Sequence, residues 1–188
     1  MLPSAITVIV KRVFDPSRLP DGVQLVPLDP HDDHRGRFVE MFRQEWNTGL
    51  EPIQWNYVRS AANVLRGVHL HPRHGDYLTV VMGRAQVGLR DLRKGSPTED
   101  LATTFEMHEA EPVALVIPPG VAHGFWFAEP SLHVYSVTHY FDLDDELACR
   151  WNDPELELRW EPVDPILSDR DASSGSLREM IDFVNATV

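Results

Sequence analysis

Apolar residues along this chain fall into short runs broken by proline, glycine and acidic residues. Runs at 6–10, 23–28, 37–42, 56–60, 77–82, 85–91, 103–107, 113–117, 123–127 and 133–138 read as strands. Ala85, Val87 and Leu89 alternate with Gln86, Gly88 and Arg90, the period-2 signal of a half-buried strand. A helical period appears mainly near the end, where Leu177, Met180, Ile181 and Val184 fall at i, i+3, i+4 and i+7. Ser176 and Glu179 stand before and within that run at capping-box spacing, which predicts a C-terminal helix packing its apolar stripe on the outside of a sheet. The 15 prolines and 11 glycines are spread at short intervals, as in chains built from many short strands. No repeat, low-complexity tract or linker divides the sequence, so residues 1–188 read as one all-β domain of the jelly-roll kind. A small barrel closed at one end carries a pocket at its mouth, the expected place for chemistry.

Composition narrows the function classes. A chain of 188 residues is long enough to bury ~70% of its unfolded surface in one core, and 43% hydrophobic with 24% charged residues excludes disorder of the whole. Lys and Arg number 17 against 29 Asp and Glu, a net charge of −12, so the overall field disfavours nucleic acid and anionic membranes as partners. A local arginine cluster remains compatible with holding one phosphate group. Cys149 is the only cysteine, which excludes an intrachain disulfide and a CxxC motif. The apolar runs at 6–10 and 113–117 are too short for a signal-peptide core with its cleavage site or for a membrane span, and the expected location is cytoplasmic.

Candidate chemistry gathers around histidine. Of nine histidines, His69, His71, His74, His123 and His139 lie in or beside strand-like runs, most densely within 65–77. His69 and His71 are two apart and share one face of a strand, beside an acid and a glycine turn. Groups that titrate near pH 7 in such a setting serve as acid–base catalysts or metal ligands, and the spacing alone leaves both open.

Several segments carry a resemblance in order along the chain: 33–40 (DHRGRFVE), 54–56 (QWN), 64–69 (VLRGVH), 91–98 (DLRKGSPT), 117–125 (IPPGVAHGF), 151–154 (WNDP) and 165–171 (PILSDRD). Together they resemble the dTDP-4-dehydrorhamnose 3,5-epimerases, from about Val23 to Asp171. The resemblance implies a cupin-type jelly-roll barrel with a short C-terminal helix, a homodimer, a nucleotide-sugar substrate and no cofactor or metal. It implies epimerisation at C3 and/or C5 of a nucleotide-linked 4-keto-6-deoxyhexose, dTDP being the expected carrier. The C4 ketone acidifies the neighbouring hydrogens, and inversion needs a base on one ring face, an acid on the other and donors at the enolate oxygen. By resemblance His69 is the base, Asp171 orients it, and Tyr135 returns the proton. Arg66 and His123 line the pocket near the pyrophosphate and sugar. Arg35, Phe38 and Glu40 hold the nucleotide, often across the dimer interface in this family, with Gln54 and Asn56 completing that wall.

The chain departs from the family at informative places. Gly67-Val68-His69-Leu70-His71 stands where the family has Gly-Leu-His-Tyr-Gln, the following turn is shorter, and Asp76 replaces a lysine that stabilises the enolate oxygen. Phe141 replaces a second tyrosine, with Tyr140 expected to face away. These losses predict an enzyme that exchanges protons much faster at one carbon, C3 by analogy with single-centre members of the family. They also admit a metal-dependent cupin in which His69, His71, Asp76 and His123 converge on an ion that replaces the lysine as Lewis acid. A sugar-nucleotide-binding cupin without chemistry is the remaining alternative.

Overall fold

The structure is a computed structural model that describes residues 18–187 apart from 141, 143–145 and 161. Twelve strands are present among these residues: β1 (Gln24–Pro27), β2 (Pro30–Asp33), β3 (Gly36–Val39), β4 (Gln54–Ser60), β5 (Val64–Leu70), β6 (Asp76–Met82), β7 (Arg84–Asp91), β8 (Ala102–His108), β9 (Val113–Ile117), β10 (Val121–Phe127), β11 (Ser131–Val137) and β12 (Leu147–Ala148). One sheet has the order β1-β9-β6-β11-β4, the other β12-β5-β10-β7-β8, and β2 with β3 forms a separate hairpin. Every ladder pairs antiparallel strands. Two short helices, α1 (Asp169–Ala172) and α2 (Leu177–Thr187), follow the strands. This is the all-β jelly-roll architecture expected from the strand pattern. No described helix is long and apolar enough to cross a membrane.

The main core lies between the two sheets, where Leu78, Val80, Leu115 and Ile117 meet Ala85, Val87, Leu89, Phe105 and Phe127. A second apolar layer covers the outer face of the β5–β10 sheet. There Leu177 and Met180 of α2 pack with Val68, Leu70, Ala122, Cys149 and Leu156, so the helix sits where its stripe required. Its capping box forms, with the Glu179 amide donating to Ser176 Oγ (3.2 Å) and the Ser176 amide donating to Glu179 Oε2 (2.6 Å).

Gly88 and Arg90 do not face solvent as simple alternation predicts, and both are buried. The segment that follows β12 lies over them. A Cβ on Gly88 would come within 2.7 Å of the Trp160 ring, and Arg90 donates to Glu157 at 2.7 Å. The strand pattern also passes over β2, β5 and β12. The first is polar and exposed, and β5 carries Arg66, Gly67 and His69 in place of an apolar run. The predicted strand at 6–10 lies outside the described residues, and the one predicted at 37–42 ends at Val39.

A bulge in β5 shapes the interior. His123 of β10 pairs with His69, and the next residue, Gly124, pairs with Gly67, leaving Val68 as the extra residue. This resets the alternation, so Arg66 and His69, three apart, both face the cavity between the sheets. Gly67 has φ +110, and a Cβ there would sit 2.8 Å from both Gly124 Cα and the His123 carbonyl oxygen. Positive φ in a non-glycine residue and overpacking against backbone each cost about 1–3 kcal/mol. Gly67→Ala is therefore expected to lower the unfolding free energy by about 2–5 kcal/mol, read by urea denaturation; a variant as stable as the parent would refute this account of the bulge.

Candidate active site

A cavity of about 300 Å³ opens between the sheets. Of the residues singled out in the sequence, it gathers Gln54 and Asn56 from β4, Arg66 and His69 from β5, His71 just beyond β5, Asp76 from β6, His123 from β10, Tyr135 from β11 and Asp171 from α1. His74 and His139 line it too, so all five histidines marked in the sequence meet there, joined by His133. His133 was missed, although the signal was present: it lies two residues before Tyr135 on one strand and so shares its face.

His69 Nε2 lies 2.7 Å from Asp171 Oδ1. A carboxylate only accepts, so Nε2 is assigned as the protonated nitrogen and the lone pair is left on Nδ1. Asp171 is 5% exposed. Burial alone pushes its carboxyl up, but hydrogen bonds from His69, the Gly67 amide and Ser168 outweigh it and hold the group below the ordinary aspartate range. Ser168 also caps α1, its Oγ accepting from the Asp171 amide at 3.1 Å. The same short helix thereby places the carboxylate and ends at a capped start.

Tyr135 comes from the other sheet, so it confronts His69 across the cavity. Burial, then the negative charges of Asp76 and Glu146, push its hydroxyl up against the lowering effect of Arg66. It stays protonated at neutral pH and can act as an acid. Arg66 Nε donates to Ser60 Oγ at 3.1 Å, and Gln54 donates to Asn56 Oδ1 at 3.1 Å, while Asn56 Nδ2 is buried with no partner. Burial drives His123 down to about 3 and His133 to about 4, the latter with help from Arg66, so both rings are neutral near pH 7. His123 Nδ1 lies 3.1 Å from the Val121 carbonyl oxygen, and His133 stacks on Phe127 at 5.2 Å.

Asp76 is 6% exposed, with His71 Nε2 and His123 Nε2 each 3.8 Å from its Oδ2. The four ligands expected for a metal cupin do not converge as a set. His69 is engaged with Asp171, and its ring centre is 6.5 Å from that of His71. The described group whose ligand atoms all lie within 4.8 Å of one another is His71, His74 and Asp76.

Arg35, Phe38 and Glu40 are not brought to this cavity within one chain. They lie on or beside the exposed β2–β3 hairpin, where Arg35 pairs with Asp33 at 2.6 Å and Glu40 with Arg43 at 2.6 Å, while Phe38 is 62% exposed. Phe141 lies outside the described residues. Tyr140 is 66% exposed and takes no part in the cavity lining.

Comparison with known proteins identifies relatives of the whole domain. The profile of the family described as dTDP-4-dehydrorhamnose 3,5-epimerase matches residues 18–179. The dTDP-4-dehydrorhamnose 3,5-epimerase of Pseudomonas aeruginosa is 34% identical over 162 residues, covering 81% of this chain and 89% of that protein. The spore coat polysaccharide biosynthesis protein SpsL of Bacillus subtilis is 33% identical over 144 residues, 74% of this chain and 95% of SpsL. Among solved structures, ChmJ, a 3′-monoepimerase from Streptomyces bikiniensis in complex with dTDP-quinovose, superposes with a TM-score of 0.79 at 26% identity, covering 88% of each chain.

The buried neutral histidines have a consequence for stability. Below pH 6.5 the unfolded chain binds a proton at each of these positions that the folded chain resists, so stability is complete above that pH and falls as the pH drops toward the folded values of about 3 for His123 and about 4 for His133. At about 1.4 kcal/mol per unit, these shifts correspond to about 3 kcal/mol for His133 and about 5 kcal/mol for His123. Replacing His133 by Phe, between Phe125 and Phe127, is expected to remove that part of the loss between pH 6.5 and pH 4, measured as unfolding free energy against pH. An unchanged slope in the variant would contradict it.

Proposed function

The chain belongs to the dTDP-4-dehydrorhamnose 3,5-epimerase family, isomerases of deoxysugar biosynthesis, and we propose that its own reaction on a dTDP-linked 4-keto-6-deoxyhexose runs through His69, Asp171 and Tyr135. The observation that carries this reading is the bonded His69–Asp171 pair on one wall of the cavity with the protonated Tyr135 on the opposite sheet. His69 Nδ1 takes the proton from the carbon beside the ketone, and the electrons of that C–H bond become the enolate. The imidazolium that forms is balanced by Asp171, and the Tyr135 O–H returns a proton from the other ring face, giving inversion.

Arg66 and His123 face the sugar and pyrophosphate in this reading, with Gln54 and Asn56 beside them. The nucleotide is held by Arg35, Phe38 and Glu40 of a second copy, whose exposed hairpin supplies what one chain leaves off its own cavity; a homodimer is part of the proposal. Arg35 offers a charged hydrogen bond to a phosphate and Phe38 a ring to stack on the base. A cytoplasmic setting suits the single buried Cys149, whose thiol burial pushes up to about 12.

The chain's departures point to inversion at one carbon, and the likeness to a 3′-monoepimerase supports C3. Incubation with dTDP-4-keto-6-deoxyglucose in heavy water, followed by NMR, is expected to give deuterium at C3 well before C5. Equal incorporation at both carbons would overturn the single-centre reading, and none at either would leave a binding protein. His69→Asn is expected to cut exchange by ~10²–10⁴-fold with nucleotide binding nearly intact. Arg35→Ala should instead weaken nucleotide binding by about 1.5–3 kcal/mol, measured by calorimetry; full exchange in His69→Asn would remove the base assignment.

A further inference from the structure

We propose that His71 donates its Nε2–H to the ketone oxygen as that oxygen becomes an enolate, and that Asp76 and Glu146 hold the His71 ring as an imidazolium; the inference rests on the epimerase reading of the same cavity. Loss of a proton beside the ketone puts negative charge on the oxygen, and a donor already aimed at that charge is usually the largest single contribution to rate. An ionised carboxylate only accepts, so Asp76 does not fill the place by itself.

The neighbouring side chains have other tasks. His69 gives Nε2–H to Asp171 and keeps Nδ1 for the substrate carbon. His123 is neutral near pH 7 and its Nδ1 lies 3.1 Å from the Val121 carbonyl oxygen, so its Nε2 carries the lone pair and accepts. Arg66 faces the pyrophosphate in the reading above, and Arg170 is paired with Glu146. His71 lines the cavity just beyond the base, with the His69 and His71 ring centres 6.5 Å apart. That gap suits a base ~3 Å from the reacting carbon and a donor ~3 Å from the adjoining oxygen.

The surroundings of His71 favour a charged ring. Its Nε2 lies 3.8 Å from Asp76 Oδ2 and its Nδ1 3.5 Å from Glu146 Oε1, and the side chains of the three residues are 8%, 9% and 11% exposed. Negative charge beside both nitrogens, in a space where screening is weak, favours a proton on each. Arg170 fixes Glu146 in place, reaching its carboxylate at 3.3 Å and its backbone oxygen at 2.9 Å. The other titratable groups near the ring are His74, stacked on it at 4.1 Å and 21°, His123 at 5.1 Å and His69, with His139 and Tyr135 also lining the cavity. The stack covers one face of the ring, so His71 acts through its edge, where the N–H groups lie. The donated proton stays on His71 throughout. His69 Nδ1 takes the proton from carbon, the C–H electron pair becomes the enolate, and the Tyr135 O–H returns a proton to carbon, so the inversion balances without a third transfer.

The test uses the full chain with dTDP-4-keto-6-deoxyglucose. Nitrogen-15 NMR of histidine-labelled protein at pH 7 is expected to show both His71 nitrogens protonated, the signals being assigned by their loss in His71→Gln. In heavy water His71→Gln, which keeps a neutral amide donor, is expected to lower kcat for exchange about 10²–10³-fold, with KM and dTDP affinity little changed. Asp76→Asn and Glu146→Gln each remove one flanking charge, so the imidazolium gives up its proton at lower pH. The alkaline limb of the kcat–pH profile then moves to lower pH, away from that of Tyr135, whereas a role in packing alone leaves the limb in place. Circular dichroism checks that each variant is folded, and the parent's nitrogen spectrum with the isosteric Glu146→Gln decides the matter should His71→Gln not fold. A neutral His71 in the parent at pH 7, or exchange in folded His71→Gln as fast as in the parent, overturns the donor and leaves the epimerase reading standing. An alkaline limb unmoved in both carboxylate variants overturns the part given to Asp76 and Glu146. No exchange by the parent overturns the epimerase reading and the donor's task with it, while the nitrogen spectrum still decides the charge on His71.

Discussion

The carboxylate of Asp171 has to be satisfied inside the protein, and the arrangement of the cavity wall depends on how. At 5% exposure an unpaired charge would be prohibitive, so the group accepts from His69, from the Gly67 amide at 3.4 Å and from Ser168. Two of those partners lie on β5, about a hundred residues earlier in the chain. The bond between His69 and Asp171 thus pins the C-terminal segment to the barrel, and it reaches its length only because the bulge at Val68 turns His69 inward. Gly67 serves both ends of the arrangement. Its missing side chain lets β10 approach, and its amide helps to hold the carboxylate that orients His69.

Around this pair the cavity mixes neutral and charged groups. His123 and His133 are kept neutral by burial, while Asp76, Arg66 and the Glu146–Arg170 ion pair (3.3 Å) line the same space. The chain's net charge of −12 says nothing of this local balance. For an anionic nucleotide sugar the local field matters more than the total, because interactions in a partly desolvated cavity are screened far less than those across open surface.

Much of this was legible in the sequence, for physical reasons that differ by element. Strands with apolar cores, such as β7 and β9, announce themselves by period and composition, and α2 by its capping box and stripe. β5 did not, because the residues that make it functional are polar or glycine, and a strand built for chemistry loses the hydrophobic signal of a strand. The histidines were legible as a group, yet their division into roles was not. That His69 turns to Asp171 while His71 sits near Asp76 depends on a bulge and on a bond to a residue in a distant helix, neither of which leaves a periodic trace. The burial of Gly88 and Arg90 was hidden likewise, since it comes from Trp160 and Glu157 folding back over the sheet.

The placement of the proposed base and acid on different sheets ties the chemistry to the core. His69 rides on the β5 sheet and Tyr135 on the β11 sheet, and the distance between them is set by the side chains packed in between, Leu78, Leu115, Val87, Leu89 and Phe127 among them. Proton transfer tolerates little error in that spacing, and a packed interior resists compression. Within one sheet, hydrogen-bond registers would fix the two groups but leave them on the same side of a substrate. Two sheets provide opposite faces, and the close-packed layer between them supplies the rigidity that a single ladder would have given.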